Sequence, residues 1–155
     1  AGAFVAMLAT QLAYGKVDLT MVLNGALAGL VSITAEPLTP IMGWTCFIGG
    51  VGGVIVVYGV PLLDKFKIDD VVGAIPVHLF AGIWGTLAVV LTNPEAALGT
   101  QIYGIVVVGV FTFVISGAAW VILNAILGIR VSEEDEITGL DTAELGMEAY
   151  PDFVR

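Results

Sequence analysis

The sequence predicts an all-α, polytopic membrane helical bundle, and three observations carry that prediction. The 155 residues are 58% hydrophobic and 12% charged, with a mean hydropathy of +1.01, whereas a soluble domain carries about a quarter charged residues. Apolar segments follow one another along the chain, long enough to make about five transmembrane segments, the first truncated. All the bases fall on one side when those segments alternate across a bilayer.

The first segment covers residues 1–14 and is ended by Gly15-Lys16. At 1.5 Å per residue it reaches only ~21 Å, short of the ~30 Å hydrocarbon core. It opens without a basic region, so it does not read as a signal peptide. The expectation is the second half of a longer helix, in a chain that is a fragment of a longer protein. The second segment runs from about Leu19 to Thr34 and is ended by Glu36-Pro37. The third opens at Thr39-Pro40, a cap followed by proline at the first helical position. It runs to about Leu63, with Pro61 expected to bend or end its last turn. The fourth runs from Val71 to Thr92 behind Asp70 as an N-cap and is stopped by Asn93-Pro94. The fifth, from about Leu98 to Leu127, would be ~45 Å long, so it tilts strongly or projects into water.

Orientation follows from the bases. Lys16 lies between the first and second segments, Lys65 and Lys67 between the third and fourth, and Arg130 and Arg155 after the fifth. The opposite connections carry Glu36 and Glu95 but no Lys or Arg. The positive side is the cytoplasmic one, which puts the C-terminus there, in a multi-pass protein of the cell membrane.

Residues 131–155 hold eight acids and one base, Arg155. The net charge of −9 therefore belongs mostly to an acidic tail on a nearly neutral membrane body, which argues against nucleic-acid binding. The chain divides into a membrane bundle, 1–130, and a cytoplasmic tail, 131–155. Ser132-Glu-Glu-Asp135 and Asp141-Thr-Ala-Glu144 look like capping boxes for short surface helices. Tyr150-Pro151-Asp152-Phe153 would anchor the tail; a disordered acidic tail is the plainer alternative.

The chemistry centres on His78, the sole histidine, inside the fourth segment. An ionisable group at that depth in a membrane is costly to keep and marks a functional site by default. Ala74, His78, Ala81, Gly82 and Gly85 share one face at three- and four-residue spacing, which would point His78 into the bundle. Gly25 with Gly29, and Gly49 with Gly53, are further pairs for close helix approach. Asn24 and Thr34 are the other candidates for a polar pathway. The alternative for Thr34 is a bond back to its own helix, and for Asn24 an interhelical tie or cap. Asp69 and Asp70 read most simply as a loop acid and a cap. Trp44, Trp84 and Trp120 read as packing or interface residues. The single Cys46 excludes an intrachain disulfide or a cysteine cluster, and one histidine makes no metal site by itself. No nucleophile elbow, phosphate loop or HExxH is present, so neither a cofactor nor an enzymatic activity is expected.

Three motifs occur in register: Asn24-Gly-Ala-Leu-Ala-Gly-Leu-Val-Ser-Ile-Thr34; Asp69-Asp70 through Val77-His78 to Gly85; and Gly139-Leu140-Asp141, Gly146 and Glu148-Ala149-Tyr150. Together they resemble the C-terminal half of an ammonium transporter of the Amt/Mep/Rh family, over essentially the whole chain. The resemblance implies a partial ammonium-transporter fold: the end of the seventh through the eleventh of eleven helices, in a homotrimer with one pore per subunit. It implies that His78 is the second of two pore histidines, that Thr34 lies beside the pore, and that Asn24 lies near its inner end. The first histidine and the aromatic vestibule would belong to helices outside this chain. The resemblance also makes Gly139, Asp141, Glu148 and Tyr150 elements of a coupling tail whose partner is a PII-type signal protein. The chain departs from the family pattern at Ala35-Glu36-Pro37, at Pro76, and at Leu145 and Met147. Transport of ammonium or ammonia is the function so implied. An ammonium sensor of the same fold is the first rival, and a membrane enzyme using His78 as a base is a distant second.

Overall fold

A computed structural model describes residues 1–148, and every element among them is helical. The chain divides into two compact units, residues 1–108 and residues 109–155.

The first unit is built on three helices: α1 (Gly2–Tyr14), α2 (Leu19–Ile33) and α3 (Met42–Lys65). Gly15 ends α1 in the left-handed conformation, φ 72°, which glycine adopts without steric cost. Asp18 starts α2 by accepting the Met21 amide at 3.0 Å. The third helix begins later than the sequence suggests. Ile41, not Thr39, is its N-cap, because Thr39 turns back to donate from its amide and its hydroxyl to the Glu36 carbonyl. Pro61 does not end α3, which continues to Lys65. A proline leaves the carbonyl four residues earlier without its helical donor. That carbonyl is Val57, and the Tyr14 hydroxyl approaches it at 3.4 Å.

Glycine governs how these helices pack. Gly2 of α1 sits against Gly25 and Gly29 of α2 and against Gly49 and Gly53 of α3, backbone to backbone. A Cβ at Gly53 would overlap the Gly2 carbonyl oxygen, and one at Gly29 would lie 3.1 Å from Gly2 Cα and from Gly49 O. Both glycine pairs legible in the sequence are therefore the crossing points of three helices. Such contact lets backbones reach van der Waals distance in lipid, where apolar side chains gain nothing by leaving the solvent.

The fourth apolar segment is not the continuous helix expected from Val71. Residues 71–73 form a turn, with Gly73 at φ 76°. A π-helix then covers Ile75–Phe80, followed by α4 (Ala81–Ala88) and a 3-10 turn, Val89–Leu91. This segment runs alongside α2 in the same direction. Val72 meets Asn24, Ala81 meets Ser32, and Asn93 meets Glu36. Ala28, Val56, Val77 and Ala81 make the buried apolar core between them. Leu98–Leu127 forms α5, thirty residues with none buried. By length and composition, α3 and α5 are long and apolar enough to cross a membrane, while α1, α2 and the Ile75–Leu91 segment are shorter apolar helices.

The second unit contains α6 (Glu133–Thr138) and α7 (Leu140–Leu145). Ser132 caps α6, its hydroxyl accepting the Asp135 amide at 3.1 Å, but the reciprocal half differs from a capping box: the Asp135 carboxylate accepts the Ser132 hydroxyl, at 2.7 Å, rather than its backbone amide. Asp141 does not start a helix. Gly139 is the N-cap of α7, and Asp141 lies in the first turn.

Candidate functional site around His78

Four amide positions open the π-helix, and each is accounted for. The Asp70 carboxylate accepts the Ala74 and Ile75 amides, both at 2.8 Å. Pro76 has no amide hydrogen. Val77 donates to the Gly73 carbonyl at 3.2 Å. Asp70 thus caps the segment four and five residues ahead, across the Gly73 turn. Asp69 beside it is exposed.

The Asn24 side-chain amide donates to the Val72 carbonyl at 2.9 Å. Thr34 bonds back to its own helix, its hydroxyl donating to Val31 O at 2.6 Å. No hydrogen bond joins Asn24, Thr34 and His78 to one another among the described residues. Asn24 and Thr34 stand ~15 Å apart along α2, with the His78 segment passing beside the helix between them.

His78 departs from the orientation its spacing predicts. Val77, Ala81, Gly85 and Ala88 are buried, Gly82 is half-buried, and both Ala74 and His78 are exposed. The i→i+5 turns of a π-helix insert a residue relative to α-helical phase. The small-residue stripe is therefore broken at His78, whose imidazole lies on the face that α2 and α3 leave open. In the tail, Gly139 (φ 106°) and Gly146 (φ 66°) bracket α7, and Glu148 is exposed. Tyr150 and the Tyr150–Phe153 anchor lie outside the described residues.

Ser32 carried no distinct signal in the sequence, and the partners of Trp84 and Glu36 were not legible there. Ser32 is buried; its hydroxyl donates to Ala28 O at 2.7 Å and reaches Ala81 O at 3.5 Å. The Trp84 indole donates to Ile48 O at 3.0 Å. Glu36 accepts from the Asn93 side chain at 3.3 Å. Each depends on a partner on another helix or loop. Among the described residues no group of three or more His, Cys, Asp or Glu converges as a metal site.

Apolar helices tied by glycine crossings, with one imidazole set in a π-turn, define the class: an all-α membrane helical bundle. The model of the Ammonium Transporter Family matches residues 1–150. The chain is 42% identical to an ammonium transporter of Archaeoglobus fulgidus, over 99% of this chain and 37% of the relative. It is 41% identical to a putative ammonium transporter of Synechocystis, over 84% of this chain and 30% of that one. It is 35% identical to the ammonium transporter of Bacillus subtilis, over 83% and 36%. The chain belongs to the ammonium transporter family. It spans about a third of the length of the curated relatives it matches.

Proposed function

We propose that this chain is part of the conducting body of a transporter that moves ammonium or ammonia across the cell membrane, with His78 as its substrate and proton-relay residue. One observation carries the reading. In a chain of this family, the sole histidine sits within an apolar segment and turns its imidazole away from the buried face.

The chemistry supports the assignment. Moving a bare ammonium ion into a narrow apolar passage costs up to tens of kcal/mol in the limiting Born estimate. Release of a proton removes most of that cost, and the remaining ammonia needs only a hydrogen bond. A neutral imidazole offers one donor and one acceptor, and a second imidazole from elsewhere in the protein would complete a relay. Potassium has no proton to release and is rejected. In this reading Thr34 lies beside the pore and Asn24 near its inner end. Residues 1–130 are the membrane domain, the C-terminus is cytoplasmic, and the subunits assemble as a homotrimer. The 131–155 tail, through Gly139, Asp141, Glu148 and Tyr150, couples the pore to a PII-type regulatory protein.

The test is His78→Ala in the intact protein. Methylammonium uptake or its coupling to charge should change while assembly persists. Unchanged uptake, selectivity and electrogenicity would overturn the role of His78.

A further inference from the structure

The chain enters the His78 segment through a β-turn over residues 70–73, closed by the Gly73 amide on the Asp70 carbonyl at 3.2 Å. The peptide unit that joins Val72 to Gly73 is thus held at one end through its N–H. Its carbonyl, that of Val72, is held at the other end by the Asn24 side-chain amide at 2.9 Å. A carbonyl only accepts, so Nδ2 of Asn24 faces it and Oδ1 is left for other partners. Gly73 is left-handed, φ 76°, and wedged between two helices: a Cβ there would lie 2.9 Å from Asn24 Nδ2 and 3.1 Å from Val60 Cγ2 of α3. The Gly73 carbonyl in turn accepts, at 3.2 Å, the amide of Val77, the residue directly before His78. The Asp70 carboxylate, on the same turn, holds the Ala74 and Ile75 amides.

We propose that Asn24 is a positioning residue for His78: from α2 it fixes the Val72–Gly73 peptide, and with it the turn on which the first amides of the His78 segment are bonded. Two hydrogen bonds, Asn24 to Val72 and Val77 to Gly73, carry the restraint to the residue beside the histidine. A reacting group has to be held to about 0.5 Å, and supporting hydrogen bonds of this kind do the holding. The role belongs to the donor half of the side chain. An ionised Asp at position 24 would set a carboxylate oxygen against the Val72 carbonyl oxygen, two acceptors with no hydrogen between them. A substrate-binding role makes the opposite demand. Only Oδ1 of Asn24 could accept from the N–H of ammonium or ammonia, and Asp keeps that oxygen and adds a charge.

The consequence for transport rests on the reading of His78 given above, so two readouts are kept apart. The first is hydrogen exchange of the Ala74, Ile75 and Val77 amides in the intact protein. Asn24→Leu, similar in size and without a donor, should speed it about fivefold, the equivalent of one lost hydrogen bond. Asn24→Asp should speed it at least as much at neutral pH. Acidification to about pH 4–5 should return it toward the parent, because a protonated carboxyl donates to the Val72 carbonyl again. Every other titratable group, Asp69, Asp70 and His78 included, is common to parent and variant, so their ratio at each pH reads residue 24. The second readout is methylammonium uptake at neutral pH, where both variants should lower the maximal rate and leave KM near the parent value. If Asn24→Asp does not assemble, Asn24→Leu carries both readouts. Exchange at the parental rate in an assembled variant overturns the positioning role, and so does an acceleration in Asn24→Asp that acid does not reverse. Uptake that Asn24→Asp preserves and Asn24→Leu weakens through KM gives Asn24 to the substrate and overturns it as well. Faster exchange with unaltered uptake in both variants supports the tie and overturns instead the pore role of His78.

Discussion

The indole N–H of Trp84 donates to the carbonyl of Ile48 at 3.0 Å, tying α4 to α3. Phe47 meets the Trp84 ring edge-on, with centroids 6.2 Å apart, and Trp44 continues the stack at 5.8 Å. Trp84→Phe keeps the ring and removes the donor. The loss should be about 1 kcal/mol, the scale of one interhelical hydrogen bond. Detergent or thermal unfolding of the purified protein checks it. A variant as stable as the parent would mean the bond contributes nothing net.

Gly53→Ala should be much more damaging than Gly109→Ala. A Cβ at Gly53 overlaps the Gly2 carbonyl oxygen and stands 3.1 Å from Gly2 C and 3.2 Å from Ala6 N, all backbone atoms that cannot rotate aside. Separating the helices should cost about 1–3 kcal/mol. Gly109 has nothing within 4 Å of its Cβ position, so alanine there should be neutral or stabilise by up to about 1 kcal/mol through helix propensity. Expression level and melting temperature of the two variants, side by side, decide the point.

Glu36 and Asn93 join the loop after α2 to the loop after the 3-10 turn, 57 residues apart in sequence. Asn93 also accepts the Glu95 amide at 3.0 Å, which fixes its side chain. Asn93→Ala should remove both contacts and loosen the turn by about 1–2 kcal/mol. Glu36→Gln keeps an acceptor and should cost less. Hydrogen exchange of residues 92–97 should rise in the first variant and stay near the parent in the second.

Ser132→Ala removes the hydroxyl that caps α6 from the Asp135 amide. With six residues, α6 has little reserve, so a loss of about 1 kcal/mol should unravel it. Amide exchange over 133–138 would reveal that directly. Ser132→Asp should restore protection, because a carboxylate accepts the same amide at the positive end of the helix.

Much of the fold was legible because its causes are local or periodic. The apolar segments, the Gly15 stop, the Ser132 cap and the two glycine pairs all express chemistry within a few residues. The third and fourth segments show where local reading stops. Thr39-Pro40 resembles a helix start, yet Thr39 finds the Glu36 carbonyl first and the helix opens at Met42. Pro61 resembles a stop, yet Tyr14 reaches the carbonyl it frees and α3 continues.

The candidate site divides in the same way. The sequence by itself identified His78 as the group to explain, since a lone imidazole in an apolar segment is visible without any fold. It also marked Asp70 as a cap and carried the family resemblance. Only the tertiary structure decided which way His78 faces. The contacts that seat its segment come from far off in sequence: Asn24 reaches Val72 across 48 residues, and Gly59 leaves room for Pro76. A helical-wheel reading assumes an unbroken 3.6-residue period, and the π-turn over Ile75–Phe80 breaks it.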